Sequence, residues 1–533
     1  MNMKKILSLL LFALALQSCN KFGDMNTDPT KSADMDPAIE LAFVQQRFSG
    51  DMSTQEVTGL ILCMPLAQHF GGGWANQYGQ FYQRQQAYMA NLWQGNYGAD
   101  VKNITDAVYR SRTGSGQNIN AMARVVRVYL FARLTDLYGD IPYSQAATAF
   151  TNGVLTPVYD TQEDIYHDFF AQLDTAMNQF ATGQDRVTND VFYKGDIAKW
   201  KKFTSSLRLR LALRVARQDP EFAKAQVMKA YNDGLMTSNA DICVTRHDNN
   251  FNTYANYTGN GLSSAIRQTG SPVNNGYRLH SSLINQLKNT NDPRLDIFAK
   301  NYWDNMPGAT FENRLDITEQ VRAQIGSVGV GPKAFIWEDW MNTITINHPA
   351  AGMIQVGNNE QKLQLAAYMM ENDAPFLHIT YAETELLLAD ATIRLSLSLG
   401  ATAEEHYVNG IRAACQQLVL YKNAPVISPA AIDQFIADNS LQPGKELQLI
   451  GTQLWINYFL NGPEAFASVR RTGFPVLPSG YRTDGYSDSP EMPRRLEYPL
   501  TEKTLNAANV EAAIGRLPGG VDDWEVRMWW DKE

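Results

Sequence analysis

The chain has 533 residues, 44% of them hydrophobic and 19% charged. That composition suits a large packed core and excludes a charge-driven disordered chain. With 46 Lys and Arg against 55 Asp and Glu, the net charge of −9 offers no basic face to a nucleic-acid backbone, so no nucleic-acid partner is expected.

Lys4 and Lys5 precede an apolar run over residues 6–16. The run fits the h-region of a signal peptide and is too short to span a bilayer as a permanent helix. Ser18 and Cys19 follow at once, a small residue before a Cys, which resembles the bacterial lipobox. Residues 1–18 therefore read as a lipoprotein signal peptide cut before Cys19, whose thiol takes the lipid. Two or three acyl chains anchor stably, because each buried CH₂ contributes roughly 0.8 kcal/mol. Residues 19–35 read as a flexible polar tether. No later stretch approaches ~18 uninterrupted apolar residues, so no transmembrane helix is predicted after it. Cys63, Cys243 and Cys415 are three in number and far apart, which predicts buried small hydrophobes rather than a disulfide framework.

Residues 71–82 are the most informative loop. Gly71, Gly72 and Gly73 free the backbone, and Trp74, Tyr78, Phe81 and Tyr82 alternate with the amides Asn76, Gln77 and Gln80. Trp93 and Tyr97 follow. An aromatic ring offers an apolar face to the C–H side of a sugar or to a peptide side chain, and amides bond its polar groups. A ligand-binding role is expected for some of Trp74, Tyr78, Phe81, Tyr82 and Trp93. The remainder fill the core beneath the loop.

Helical periodicity then dominates. Residues 121–138 place Val125, Val128, Leu134 and Leu137 on one stripe, ended by Asp140 and Pro142. Thr161 and Glu163 predict a capped helix running through Phe169 and Leu173. Residues 196–217 read as a third helix, with Arg208, Arg210, Arg214 and Arg217 on it. Asp219 and Pro220 start a fourth. Residues 375–399, 404–420, 429–438 and 444–460 form a second helical block. Short helices in consecutive pairs predict packed hairpins of the tetratricopeptide kind.

Between the blocks, residues 241–276 are rich in Asn, Thr, Tyr and Gly, and residues 301–359 mix Gly, Pro and Trp. Such long irregular excursions are usually functional. They add Tyr277, Trp303 and Trp337 to the ligand-binding candidates, with Trp340, Tyr254 and Tyr257 behind them. Residues 473–499 are a further Pro- and Gly-rich loop.

Catalytic signatures are missing. None of the seven His residues has a second His at i+4, and each reads as a surface or core-edge group. No nucleophile elbow or Walker loop is present. Glu383 and Glu385 lie two apart on a predicted helix and face different sides, which predicts structural roles. No catalytic residue, metal ligand or cofactor is assigned; a structural Ca²⁺ at Asp484, Asp488 and Glu491 is a minor alternative. The rival to a binding protein is a glycan hydrolase or lyase, which needs converging carboxylates.

An ordered set of segments carries a family pattern. Cys19 is followed by Asn26, Asp28 and Pro29, then by Arg133, Asp136, Tyr138, Gly139, Asp140, Pro142 and Tyr143. Next come Tyr159, Glu163 and Tyr166, Trp200, Phe203, Ser206 and Arg208, and Asp292, Pro293 and Arg294. Thr380, Tyr381, Glu383, Glu385, Ala389 and Asp390 follow. Gly462, Glu464, Phe466, Arg470 and Gly473 precede Pro493, Arg495, Glu497 and Pro499. Together they resemble the SusD/RagB family of nutrient-binding outer-membrane lipoproteins of Bacteroidetes. The resemblance implies a mainly α, SusD-like fold, with tetratricopeptide-like helix pairs, long irregular ligand-binding loops and few short strands. It implies one such domain over residues 19–533, held at the outer membrane by its lipid and facing outward. It implies a non-enzymatic protein that captures oligosaccharides or peptides and serves as the lid of a SusC-like TonB-dependent transporter. Release into a transporter favours dissociation constants between micromolar and millimolar.

Overall fold

The computed structural model describes residues 35–73, 75–113, 116–183, 185–268, 276–339 and 341–532. The signal peptide, Cys19, Trp74 and Trp340 lie outside them. Helices carry the architecture. Those used below are, in chain order, α1 (Pro37–Gly50), α2 (Val101–Ser111), α3 (Gln117–Tyr138), α4 (Gln162–Gln179), α5 (Ile197–Arg214), α6 (Pro220–Asp233), α7 (Gly261–Arg267), α8 (Tyr381–Arg394), α9 (Ala403–Gln416), α10 (Pro429–Asp438), α11 (Glu446–Asn457) and α12 (Gly462–Thr472), and shorter helices join them. A π-type segment, Gln55–Cys63, follows α1.

Side chains close the helix starts that the sequence marks. Thr161 accepts from the Asp164 amide, Asp196 from Lys199 and Asp219 from Phe222. Thr402 and Glu405 form a reciprocal box at α9. Each such cap satisfies an otherwise orphan N–H and contributes about 1 kcal/mol. The helices pack as consecutive hairpins, α3 on α4, α5 on α6 and α8 on α9, with α11 and α12 closing the block.

The predicted helix over residues 375–399 starts later. Phe376–Ile379 is a strand, β4, and Thr380 caps α8 directly after it. β4 pairs antiparallel with β1 (Cys243–Thr245), which sits in the stretch expected to be irregular. The other long excursion holds an antiparallel hairpin, β2 (Thr343–His348) with β3 (Gly352–Gly357). One face of the hairpin buries Ile346, Ile354 and Val356 on Val321 of the helix Thr318–Ile325.

Two larger apolar clusters fill the interior. One lies within the helical block; the other underlies the loops and includes Leu60, Phe70, Leu279, Phe298 and Trp455. Trp455 of α11 is fully buried and donates its indole N–H to the Ala67 carbonyl at 2.7 Å, so the glycine loop begins on a fixed base. Cys63, Cys243 and Cys415 are buried and free, and burial pushes the Cys63 and Cys415 thiols up to about 12. The histidines sit deeper than the sequence indicates: His69, His247, His280, His378 and His406 are buried, and desolvation holds His69 and His280 near 3, neutral at any working pH. Apolar neighbours such as Trp455 and Phe459 around His69 are the reason.

A buried charged seam joins α3, α5, α8 and α12. Arg210 makes a two-pronged contact with Glu383, at 2.5 and 2.7 Å, and Arg214 bonds Glu464 and stands 3.3 Å from Asp136. Glu385 points elsewhere, to His406 at 2.7 Å. Both carboxylates of that pair are therefore committed to the scaffold. Among the described residues no helix is long and apolar enough to cross a membrane.

Candidate functional site

The glycine loop is the hinge of the site. Phe70–Gly71 pairs antiparallel with Arg278–Leu279, which fixes its first residues. Gly72 has φ +86, a left-handed value that disfavours any side chain. Its carbonyl accepts from the Ile336 amide at 3.1 Å, and a Cβ there would stand 2.4 Å from the Ile336 Cγ2. Gln80 ties the same loops together: its carbonyl accepts from the Gly72 amide at 2.7 Å and its amide donates to the Gly331 carbonyl at 2.9 Å. Asn76 accepts from Gly73 at 3.0 Å. The amides singled out in the sequence thus hold backbone.

On one side of this loop lies an aromatic platform. Trp337 stacks on Phe335 with centroids 4.2 Å apart and planes at 18°. Phe335 is backed edge-on by Phe81 at 4.7 Å and by Tyr486 at 5.2 Å. Trp337 is 44% exposed and Tyr486 39%, whereas Phe81 and Phe335 are buried. The Arg482 guanidinium lies 5.1–5.4 Å from the Phe81, Tyr486 and Phe335 centroids. It also bonds Glu338 at 2.9 Å and Asp484, and the Asp484 hydrogen bond holds that carboxyl below its usual range. Glu338 in turn accepts from the Phe335 amide at 3.1 Å, which fixes the turn that presents Trp337.

Gly276 borders the loop at Gly73. Tyr78 and Tyr88 meet edge-on at 5.0 Å. Tyr277 is half-buried and Tyr254 is 64% exposed. Burial, and after it the Glu56 charge, push the Tyr254 phenol up; the same two causes act on Tyr277 and Tyr88, each with a neighbouring tyrosine. Glu56 stands on the π-type segment and accepts from the Gln268 amide.

Several aromatics expected at the ligand belong elsewhere. Trp93 is buried among Tyr97, Tyr138, Tyr159 and Tyr498, with centroids 4.7–6.1 Å away, and is core. Tyr82 is buried, and its hydroxyl accepts from the Gly480 amide at 3.1 Å. Phe81 has no exposed face; it supports the platform from below. Large rings gain most by leaving water, so a ring on a helix that faces the core stays there. Trp303 pairs with Leu315 and packs on the small cluster under the β2–β3 hairpin. Trp337, Tyr78 and Tyr277 stand at the surface loops. Phe335, Tyr486, Arg482, Tyr88 and Glu56 were not singled out in the sequence; Tyr486 within a Pro- and Gly-rich loop was the available signal. Asp488 accepts from the Arg84 amide at 2.6 Å and Asp484 is held by Arg482, so the proposed calcium loop is tied to other partners. Among the described residues no group of three or more His, Cys, Asp or Glu side chains is placed to hold a metal.

Comparison with known proteins now bears on this geometry. A family model described as starch-binding and associating with the outer membrane, the SusD-like model, matches residues 63–499. Among solved structures, a chitin-binding protein is 34% identical with a TM-score of 0.80, over 93% of this chain and 100% of that one. A SusD-like protein of Bacteroidetes is 29% identical with a TM-score of 0.84, over 94% and 100%. A SusD-like protein of Bacteroides thetaiotaomicron, at 22% identity and a TM-score of 0.71 over 93% and 98%, shares the fold. A search of curated proteins finds no match. The chain belongs to the SusD-like family, whose members are described as starch-binding and associated with the outer membrane.

Proposed function

We propose that the protein captures oligosaccharides at the cell surface, with chitin-type chains as the first candidates. The carrying observation is the Trp337 ring, exposed on its outer side and braced from behind by Phe335. A braced ring loses little freedom when a sugar stacks on it, which lowers the cost of binding. The pyranose C–H face meets the ring, and Tyr486 and polar groups of the loop meet the hydroxyls. The name of the chitin-binding relative supports the choice of ligand. Acylation at Cys19 would hold the protein to the outer membrane. Delivery as the lid of a SusC-like TonB-dependent transporter completes the role, which involves no catalysis. The platform's carboxylates, Glu338 and Asp484, are both engaged by Arg482, which favours binding over hydrolysis.

Calorimetry of the protein with N-acetylated chito-oligosaccharides, malto-oligosaccharides and short peptides tests this reading. Binding of one sugar series without product formation, weakened in Trp337→Ala, is the expected result. Binding of peptides alone, or consumption of the sugar, would overturn it.

A further inference from the structure

Three loops far apart in sequence meet at the aromatic platform: residues 71–82, 331–338 and 480–487. Gln80 joins the first two, since its amide donates to the Gly331 carbonyl at 2.9 Å and to the Ala334 carbonyl at 3.2 Å. The third closes on the first. The Gly480 amide donates to the Tyr82 hydroxyl at 3.1 Å, and a Cβ at Gly480 would stand 1.9 Å from the Gln80 carbonyl oxygen. The Arg482 amide donates to the Ser487 hydroxyl at 2.8 Å, and Ser487 in turn donates to the Phe81 carbonyl.

The Arg482 side chain touches all three loops. Its guanidinium lies 5.1 Å from the Phe81 centroid and 5.4 Å from that of Phe335. Nη1 donates to the Lys333 carbonyl and, at 2.9 Å, to Glu338. Nε donates to Asp484 at 3.1 Å, and Nη2 donates to the same carboxylate. All three nitrogens of the rigid fork are therefore engaged by protein acceptors, and the side chain is only 15% exposed. Glu338 carries the constraint onward. Its Oε1 holds Arg482 and its Oε2 accepts from the Phe335 amide at 3.1 Å. Phe335 is the ring on which Trp337 stacks.

Resting on the oligosaccharide reading above, we infer that Arg482 is a positioning residue, which clasps the 331–338 turn to the 480–487 loop, sets the Trp337 ring for stacking and does not itself touch the sugar. A cation at a sugar platform would ordinarily be read as the partner of an acidic ligand. Here its charge is answered by Glu338 and Asp484. A ring that is already set loses little freedom on binding, so opening the clasp raises the cost of stacking without removing a contact to the sugar.

The test is a double-mutant cycle, read by calorimetry of the whole protein with N-acetylated chitotetraose. Arg482→Gln should weaken binding roughly fivefold when Trp337 is present, and less than about twofold in the Trp337→Ala background. Arg482→Lys keeps the charge but loses the fork, and should weaken binding as much as Arg482→Gln. Asp484→Asn alters an exposed strut of the clasp and serves if the Arg482 variants do not fold; its smaller loss should also vanish without Trp337. One readout needs no sugar. The near-ultraviolet circular dichroism that Trp337→Ala removes should be diminished in Arg482→Gln and in Asp484→Asn, while urea unfolding shows both variants folded. Equal losses of affinity with and without Trp337 would mean that the clasp residues meet the sugar, and would overturn the inference. Full affinity in Arg482→Lys, or an undiminished dichroism signal in the clasp variants, would overturn it too. If no sugar binds at all, the capture reading falls, and the dichroism alone decides whether Arg482 sets the ring.

Discussion

Charge is handled in two ways in this molecule. In the helical seam, Arg210, Arg214, Glu383 and Asp136 are buried and interlocked with the partly buried Glu464, each cation against at least one carboxylate. At the loops, Arg482 is matched by Glu338 and Asp484, while Glu56 accepts from the neutral amide of Gln268. The seam is made of helix residues whose positions the backbone hydrogen bonds already fix, so its charges can be paired closely. The loops leave the Trp337 ring 44% exposed. The contrast separates charges interlocked within the fold from groups held at the surface loops.

The sharpest way to break the comparison is to unpair the seam. Arg210→Met leaves Glu383 buried without its two-pronged partner, and a loss of about 3–5 kcal/mol is expected in urea unfolding. The double variant Arg210→Met with Glu383→Leu should recover much of that loss, because the unpaired charge goes too. The next largest effect falls on the hinge. Gly72→Ala places a Cβ 2.4 Å from Ile336 at φ +86. It should cost about 1–3 kcal/mol in urea unfolding and weaken sugar binding as well, since the platform turn must move. Trp337→Ala tests the loop side alone. Its ring is 44% exposed, so the melting temperature should hardly change, while calorimetric affinity for the captured sugar falls roughly tenfold.

A pH-dependent effect sharpens the rule within the scaffold. Glu40 on α1 is buried against Asp106 of α2, and burial first, then the Asp106 charge, raise its carboxyl from 4.5 to about 8; Arg110 and Lys102 oppose the shift. A folded-state value above the unfolded one means that the protonated form is the stabilising one. That stability is present below about 4.5 and is lost as pH rises through about 8. Glu40→Gln should therefore match the wild type in acid, gain melting temperature progressively across that window, and gain no more above it. A pH series of thermal melts reads this directly.

Much of the helical block was legible in the sequence. The 3.6-residue stripe and the caps at Thr161 and Asp219 are local chemistry, and local chemistry is written along the chain. The start of α8 was read about six residues early, because Phe376–Ile379 is apolar in either state and becomes a strand only by pairing with Cys243–Thr245, far away in sequence. The amides of the 71–82 loop were seen but their task was not. Gln80 bonds Gly331, and no local pattern announces a partner so distant.

The sequence by itself determined the helix pairs and the structural standing of Glu383 and Glu385, because periodicity and capping act over a few residues. Only the tertiary structure decided which rings are core and which are surface. Trp93 and Trp337 are the same residue type, yet one lies under Tyr138 and Tyr498 and the other stands on Phe335 facing solvent. Burial is a property of what arrives from elsewhere in the chain, which no reading of a residue's neighbours along the chain reveals.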